Sequence, residues 1–115
     1  MAFSELELKR CEKIMAQYLE RRRPPAHLRD QLDLSCRITG QSVELFEIRP
    51  DWQDRTIKRE SPVAKATYVQ TKKLWKIFWM RQDLKWHGYQ PKPEVKNLET
   101  FLNVVDGDKH GCFFG

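Results

Sequence analysis

A chain of 115 residues can bury a hydrophobic core without disulfide or metal staples, and it is short for two ordinary domains. Its 21 Lys and Arg against 16 Asp and Glu leave a net charge of +5, which favours acidic partners, while three widely spaced cysteines exclude a disulfide framework and suit a reducing compartment. The N-terminus has no basic segment leading into an apolar run, and no window approaches the roughly 20 apolar residues of a membrane span. One cytoplasmic domain over residues 1–115, without a membrane partner, is therefore expected.

Ser4 and Glu7 stand in capping-box spacing ahead of Leu8, Cys11, Met15, Tyr18 and Leu19, which recur at helical period, so an amphipathic helix is predicted from Ser4 to about Arg22. Arg21, Arg22 and Arg23 suit the negative end of its dipole, and Pro24 and Pro25 stop it. Pro25 can open a short second helix through Asp30, on which His27 reads as a surface residue. Leu32, Leu34, Cys36 and Ile38 then alternate with polar residues as a half-buried strand does, and Thr39 to Gln41 supply the turn. A second strand runs from Val43 to about Arg49. Pro50 is expected to end its ladder, and Asp51 to Ser61 reads as a loop anchored by Trp52.

The stretch from Pro62 to Tyr89 organises the rest, because it holds three of the four tryptophans amid lysines, and its Val, Thr, Tyr, Trp, Ile and Phe suit a pleated surface. A two-residue turn at Thr71 and Lys72 sets Val69 against Leu74, Tyr68 against Trp75, Ala66 against Ile77 and Ala64 against Trp79, small residues facing large ones. A second turn at Gln82 and Asp83 sets Trp79 against Trp86 and Phe78 against His87. On this register Ala64, Ala66, Tyr68, Trp75, Ile77, Trp79, Leu84 and Trp86 face the core. Lys65, Thr67, Lys76, Phe78, Met80, Lys85, His87 and Tyr89 face outward. Neither turn carries Asn-Gly or Asp-Gly, so the register rests on turn length alone, and a one-residue slip reverses the faces.

Pro91 and Pro93 break the sheet, Asn97 caps a helix whose stripe is Leu98, Phe101, Leu102 and Val105, and Gly107 can close it in the left-handed conformation. The tail from Asp108 carries Cys112, Phe113 and Phe114 and is expected to fold back as an edge strand or plug. The predicted architecture is α+β: an antiparallel meander of about five strands with an N-terminal and a C-terminal helix on one face.

The runs VELFEIRP (43–50), PVAKATYV (62–69), LWKIFW (74–79), DLKWHGYQPKP (83–93) and GCFFG (111–115) together resemble a bacterial family of small proteins, domain of unknown function 3024. The resemblance implies a bacterial, cytoplasmic protein in which the closing motif is part of the domain. It brings no activity, cofactor or catalytic set with it.

Lys65, Lys76, Phe78, Lys85, His87 and Tyr89 on one sheet face are the candidate nucleic-acid-binding set, since rings stack on bases while neighbouring cations meet phosphates. The competing reading is a protein-interaction or self-assembling module, in which that face or the Phe113–Phe114 tail buries against a partner or a second copy. A metal site would draw on His87, His110, Cys36 and Cys112, but the paired spacings of zinc ligands are missing. Glu94, Lys96 and Asp83 imitate a nuclease pattern on a proline-bounded loop, and Glu44 and Glu47 lie on opposite faces of their strand. No nucleophile–base arrangement or phosphate-cradling glycine loop stands in the sequence, so no catalytic residue and no cofactor is assigned, and a binding role is preferred to an enzyme.

Overall fold

The computed structural model describes residues 3–114. Its elements are α1 (Glu5–Arg22), a 3-10 turn (Ala26–Leu28), β1 (Asp33–Thr39), β2 (Ser42–Pro50), β3 (Lys58–Val69), β4 (Leu74–Met80), β5 (Trp86–Gly88), β6 (Glu94–Val95) and α2 (Leu98–Gly107). The strands form one antiparallel sheet in the order β1-β2-β3-β4-β5. The short β6 shares the far edge of β4 with β5. This is the expected α+β meander with one additional strand, for Glu94–Val95 rejoins the sheet immediately after Pro93 instead of remaining loop.

Both helices cover the same face of the sheet. Ser4 Oγ accepts from Glu7 N at 3.2 Å while Glu7 Oε1 accepts from Ser4 N at 2.9 Å, so the capping box opens α1 as its spacing requires. Asn97 Oδ1 accepts from Thr100 N at 2.9 Å and opens α2. At the C-terminal ends Tyr18 Oη donates to Asp106 at 2.7 Å, and Arg22 pairs with the same carboxylate at 3.1 Å. Beneath the helices lie Val43, Leu45, Ala64, Ala66, Trp75 and Ile77, with Cys11, Met15 and Tyr18 from α1 and Leu98, Phe101, Leu102 and Val105 from α2. The two alanines share this core with the larger rings of Tyr18 and Phe101, each fully buried.

Burial, and then the bond to Asp106, push the Tyr18 hydroxyl up to about 12. The unfolded chain loses this proton near pH 10, so between about pH 10 and 12 the unfolded state sheds a proton that the native state keeps. Stability contributed by Tyr18 is present below pH 10 and is lost as pH rises through that window. Unfolding midpoints measured from pH 9 to 12 are expected to fall more steeply in the wild type than in Tyr18→Phe, and equal slopes would refute the assignment.

The β3–β4 hairpin keeps the predicted register, with Val69 opposite Leu74, Tyr68 opposite Trp75 and Ala66 opposite Ile77. Its connection is longer than expected, Gln70 to Lys73, with Lys73 at φ 52. The β4–β5 hairpin does not keep its register. Leu84 N donates to Arg81 O at 2.9 Å and Arg81 N to Lys85 O at 3.2 Å, so Gln82, Asp83 and Leu84 form a three-residue loop with Leu84 left-handed at φ 62. One more residue in the turn reverses every side chain after it. Met80 therefore faces Trp86, Trp79 faces His87 and Phe78 faces Gly88.

Four expectations are corrected by that loop. Trp86 leaves the predicted core face, Leu84 is 80% exposed, His87 stands with Trp79 on the helix side, and Tyr89 is buried at 2% exposure. The expected Asp51–Ser61 loop also shortens. Pro50 stays in the ladder opposite Lys58, and β3 begins there, accommodating Pro62 through a register shift opposite Leu45 and Phe46. Asp108, not Gly107, closes α2 in the left-handed region at φ 39. Its carboxylate then accepts from Phe113 N at 3.0 Å and Phe114 N at 2.9 Å, turning the tail back as a plug whose Phe113 ring lies 4.7 Å from Tyr89.

Candidate binding face of the sheet

The face of the sheet opposite the helices carries an aromatic strip. Alternation from the observed pairings places Ser35, Arg37, Glu44, Phe46, Glu60, Pro62, Lys65, Thr67, Lys76, Phe78, Met80 and Trp86 there. Lys65 lies across the strand pair from Phe78, and its Nζ is 5.1 Å from the centroids of both Phe78 and Trp86. Beside it the Arg37 guanidinium sits 4.4 Å from the Phe46 centroid and donates to both oxygens of Glu60 at 2.6 Å. Phe46 is 8% exposed beneath this cover, while Phe78, Met80 and Trp86 remain half-buried with no helix over them.

The charges of this strip are mixed. Arg37, Lys65 and Lys76 share it with Glu44, Glu60 and Glu94, and register places Glu44 opposite Lys65 and Glu94 opposite Lys76. Glu60 is held by Arg37, whereas Lys65 and Lys76 form no ion pair among the described residues. Two ammonium groups at or beside the rings are thus free to meet an anion.

Of the six residues predicted for nucleic acid, the structure brings Lys65, Lys76 and Phe78 together. Lys85 lies in the exposed β4–β5 turn, where its N–H donates to Asp83 Oδ1 at 3.0 Å. His87 shares a hydrogen bond of 2.8 Å with Asp83, which holds that carboxyl below its ordinary range, and faces away from the strip. Tyr89 is in the core. Sequence reasoning missed Trp86, Phe46 and Arg37. Strict alternation from Val43 and Leu45 puts Phe46 outward, so that signal was present; Trp86 needed the length of a turn.

The enzyme-like fragments do not converge. Asp83 sits at the β4–β5 turn, while Glu94 and Lys96 lie at β6, beside the opposite end of β4. Burial pushes the Cys11, Cys36 and Cys112 thiols up, away from the thiolate form that a nucleophile needs. Among the described residues no group of three or more His, Cys, Asp or Glu is gathered as metal ligands, and no helix is long and apolar enough to cross a membrane.

Fold and face together define an α+β protein with one helix-covered and one open sheet face. The family described as Domain of unknown function (DUF3024) matches residues 3–115, and the chain belongs to it. No curated protein and no solved structure matches the chain.

Proposed function

We propose that the protein is a non-catalytic binding module whose open sheet face takes a single strand of nucleic acid. The observation that carries this reading is the ammonium of Lys65 set between Phe78 and Trp86, 5.1 Å from each ring, on a face that no helix covers. Rings from neighbouring strands offer stacking surfaces to successive bases, and Lys65 and Lys76 neutralise the phosphates between them. The positive net charge of the chain draws such a ligand in. Affinity is modest, because Glu44, Glu60 and Glu94 offset the cations of the face.

Titration of the protein with oligothymidylate and with mixed-sequence RNA, followed by tryptophan fluorescence, is expected to show saturable quenching at low salt. Two phosphate contacts at about −0.7 each put the slope of log K against log salt near −1.4. Absence of quenching and of any mobility shift at low salt would reject the reading. A second reading, self-association through the same face, is favoured by the matching of its positive and negative side chains, which would let two copies meet without like-charge conflict. Sedimentation velocity separates the two, since self-association requires a dimer in the absence of oligonucleotide.

A further inference from the structure

Beyond the sheet face, the loop that joins β2 to β3 presents Trp52 with 85% of its surface in water. We infer that this loop is a second contact for the same nucleic-acid strand, with the Trp52 indole stacking on a base beyond the reach of Phe78 and Trp86. The inference rests on the single-strand reading of the sheet face and extends that site along the β2–β3 hairpin.

The loop contradicts the expectation that Trp52 anchors it from inside. Asp51 does the anchoring. Its Oδ2 accepts from Gln53 N and Asp54 N, each at 3.1 Å, its Oδ1 accepts from Arg59 Nε at 2.6 Å, and its own N–H donates to Ile57 O at 2.8 Å. Asp54 Oδ1 takes the Thr56 N–H at 3.0 Å and the Thr56 hydroxyl at 2.6 Å. Both carboxylates of the loop are therefore spent on its own turns. The Arg59 bond and the loop amides hold the Asp51 carboxyl below its ordinary range, so these contacts persist at neutral pH.

What the loop shows to solvent is consequently cationic and aromatic: Trp52, Arg55 and the flanking Arg49, Lys58 and Arg59 are all exposed. Arg49 pairs with Glu47 at 3.2 Å and Lys58 donates to the Asp30 carbonyl at 2.8 Å, while Arg55 makes no ion pair among the described residues. An indole on a framework already fixed loses little freedom when it stacks. Tryptophan and arginine are among the residue types most enriched where a few side chains carry most of the binding energy, and this loop displays both.

Charge and continuity with the sheet face both suit a nucleic-acid strand as the occupant. Arg49 is offset by Glu47 and Arg59 by Asp51, which leaves Arg55 and Lys58 against Asp54, whose carboxylate is turned onto Thr56, a small surplus of positive charge that an acidic polymer complements. Phe46, Ile48 and Pro50 step along the open face toward the loop, opposite Pro62, Glu60 and Lys58. At about 3.3 Å per residue Pro50 lies about 13 Å from Phe46, within reach of one strand in the site-size range of about 4 to 16 nucleotides. A membrane surface fits less well, since one indole and the half-exposed Ile57 offer little insertion area.

The test uses the full chain and fluorescence anisotropy of labelled oligothymidylates about 5 and about 15 nucleotides long. Trp52→Ala is expected to weaken the long oligonucleotide about 5- to 150-fold, the equivalent of one lost stack, while binding of the short one changes less than about 2-fold and Trp52→Phe restores most of the loss. Because Trp52 is exposed, its unfolding midpoint stays at the wild-type value, which circular dichroism checks. Unchanged long-strand affinity in Trp52→Ala, alongside weakened binding in Trp86→Ala, would overturn the loop contact and leave the sheet face standing. Failure of the wild type to bind either length would remove both. Trp52-dependent sedimentation with phosphatidylserine-containing vesicles, without oligonucleotide binding, would overturn the inference in favour of a membrane contact.

Discussion

Tyr89→Ala is expected to lower the free energy of unfolding by about 3 to 5 kcal/mol, the range for truncating a buried aromatic side chain. The ring is 2% exposed and its centroid lies 4.7 Å from that of Phe113. Its backbone N–H donates to Ile77 O at 2.9 Å, a bond that survives truncation, so the loss comes from the side chain alone. With a urea m-value of about 1 to 3 kcal/mol per molar, the midpoint should fall by at least about 1 M. The Phe113 plug loses its aromatic partner at the same time, and faster proteolysis of the tail should accompany the shift. A wild-type midpoint would mean that the Tyr89 ring stands in solvent and that the β4–β5 turn has two residues rather than three.

Trp86→Ala has the converse signature. It is expected to weaken oligonucleotide binding by about 1 to 3 kcal/mol while altering the unfolding midpoint much less than Tyr89→Ala does. Trp86 is only half-buried and carries no helix above it; Met80 lies opposite it across the strands, and the Lys65 ammonium is 5.1 Å from its ring. Phe78→Ala should act in the same direction, and the two losses should not simply add, because both rings share that one ammonium. If Trp86→Ala binds as the wild type does while Tyr89→Ala, once corrected for its folded fraction, does not, the open face is not the site.

These two residues also mark where the sequence was informative and where it was not. The β3–β4 register came out as expected because the longer Gln70–Lys73 connection is centred on the same Thr71 and Lys72 as the expected two-residue turn, so Ala66 stays opposite Ile77 and Tyr68 opposite Trp75. Cap residues placed both helices, for Ser4, Glu7 and Asn97 signal through bonds that are local in the chain. The β4–β5 turn gave no such help. Its left-handed residue is Leu84, a type that seldom takes φ near 62, so nothing in the composition set the loop at three residues. Two of the six candidate residues were misplaced for that reason: Lys65, Lys76 and Phe78 precede the turn and were assigned to the correct face, Lys85 adjoins the turn itself, and His87 and Tyr89 follow it and changed sides.

The loop after β2 was misread for a different reason. A tryptophan in a polar stretch is more easily imagined as an anchor than as a displayed ring, yet Asp51 supplies the hydrogen bonds that make an apolar anchor unnecessary. Asp108 repeats this device at the C-terminus. In both places one short carboxylate organises backbone that hydrophobic patterning cannot describe.

The loop Gln82–Leu84 carries a consequence for how this domain can change over evolutionary time. Substitution of the exposed Gln82 is mild and the bonds of Asp83 are local, to Lys85 N and His87, but deleting a single residue would exchange the interior and exterior roles of Trp86, His87 and Tyr89 at a stroke. Insertions and deletions are what this hairpin absorbs least, and chains built on the same plan should hold its count more strictly than its spelling.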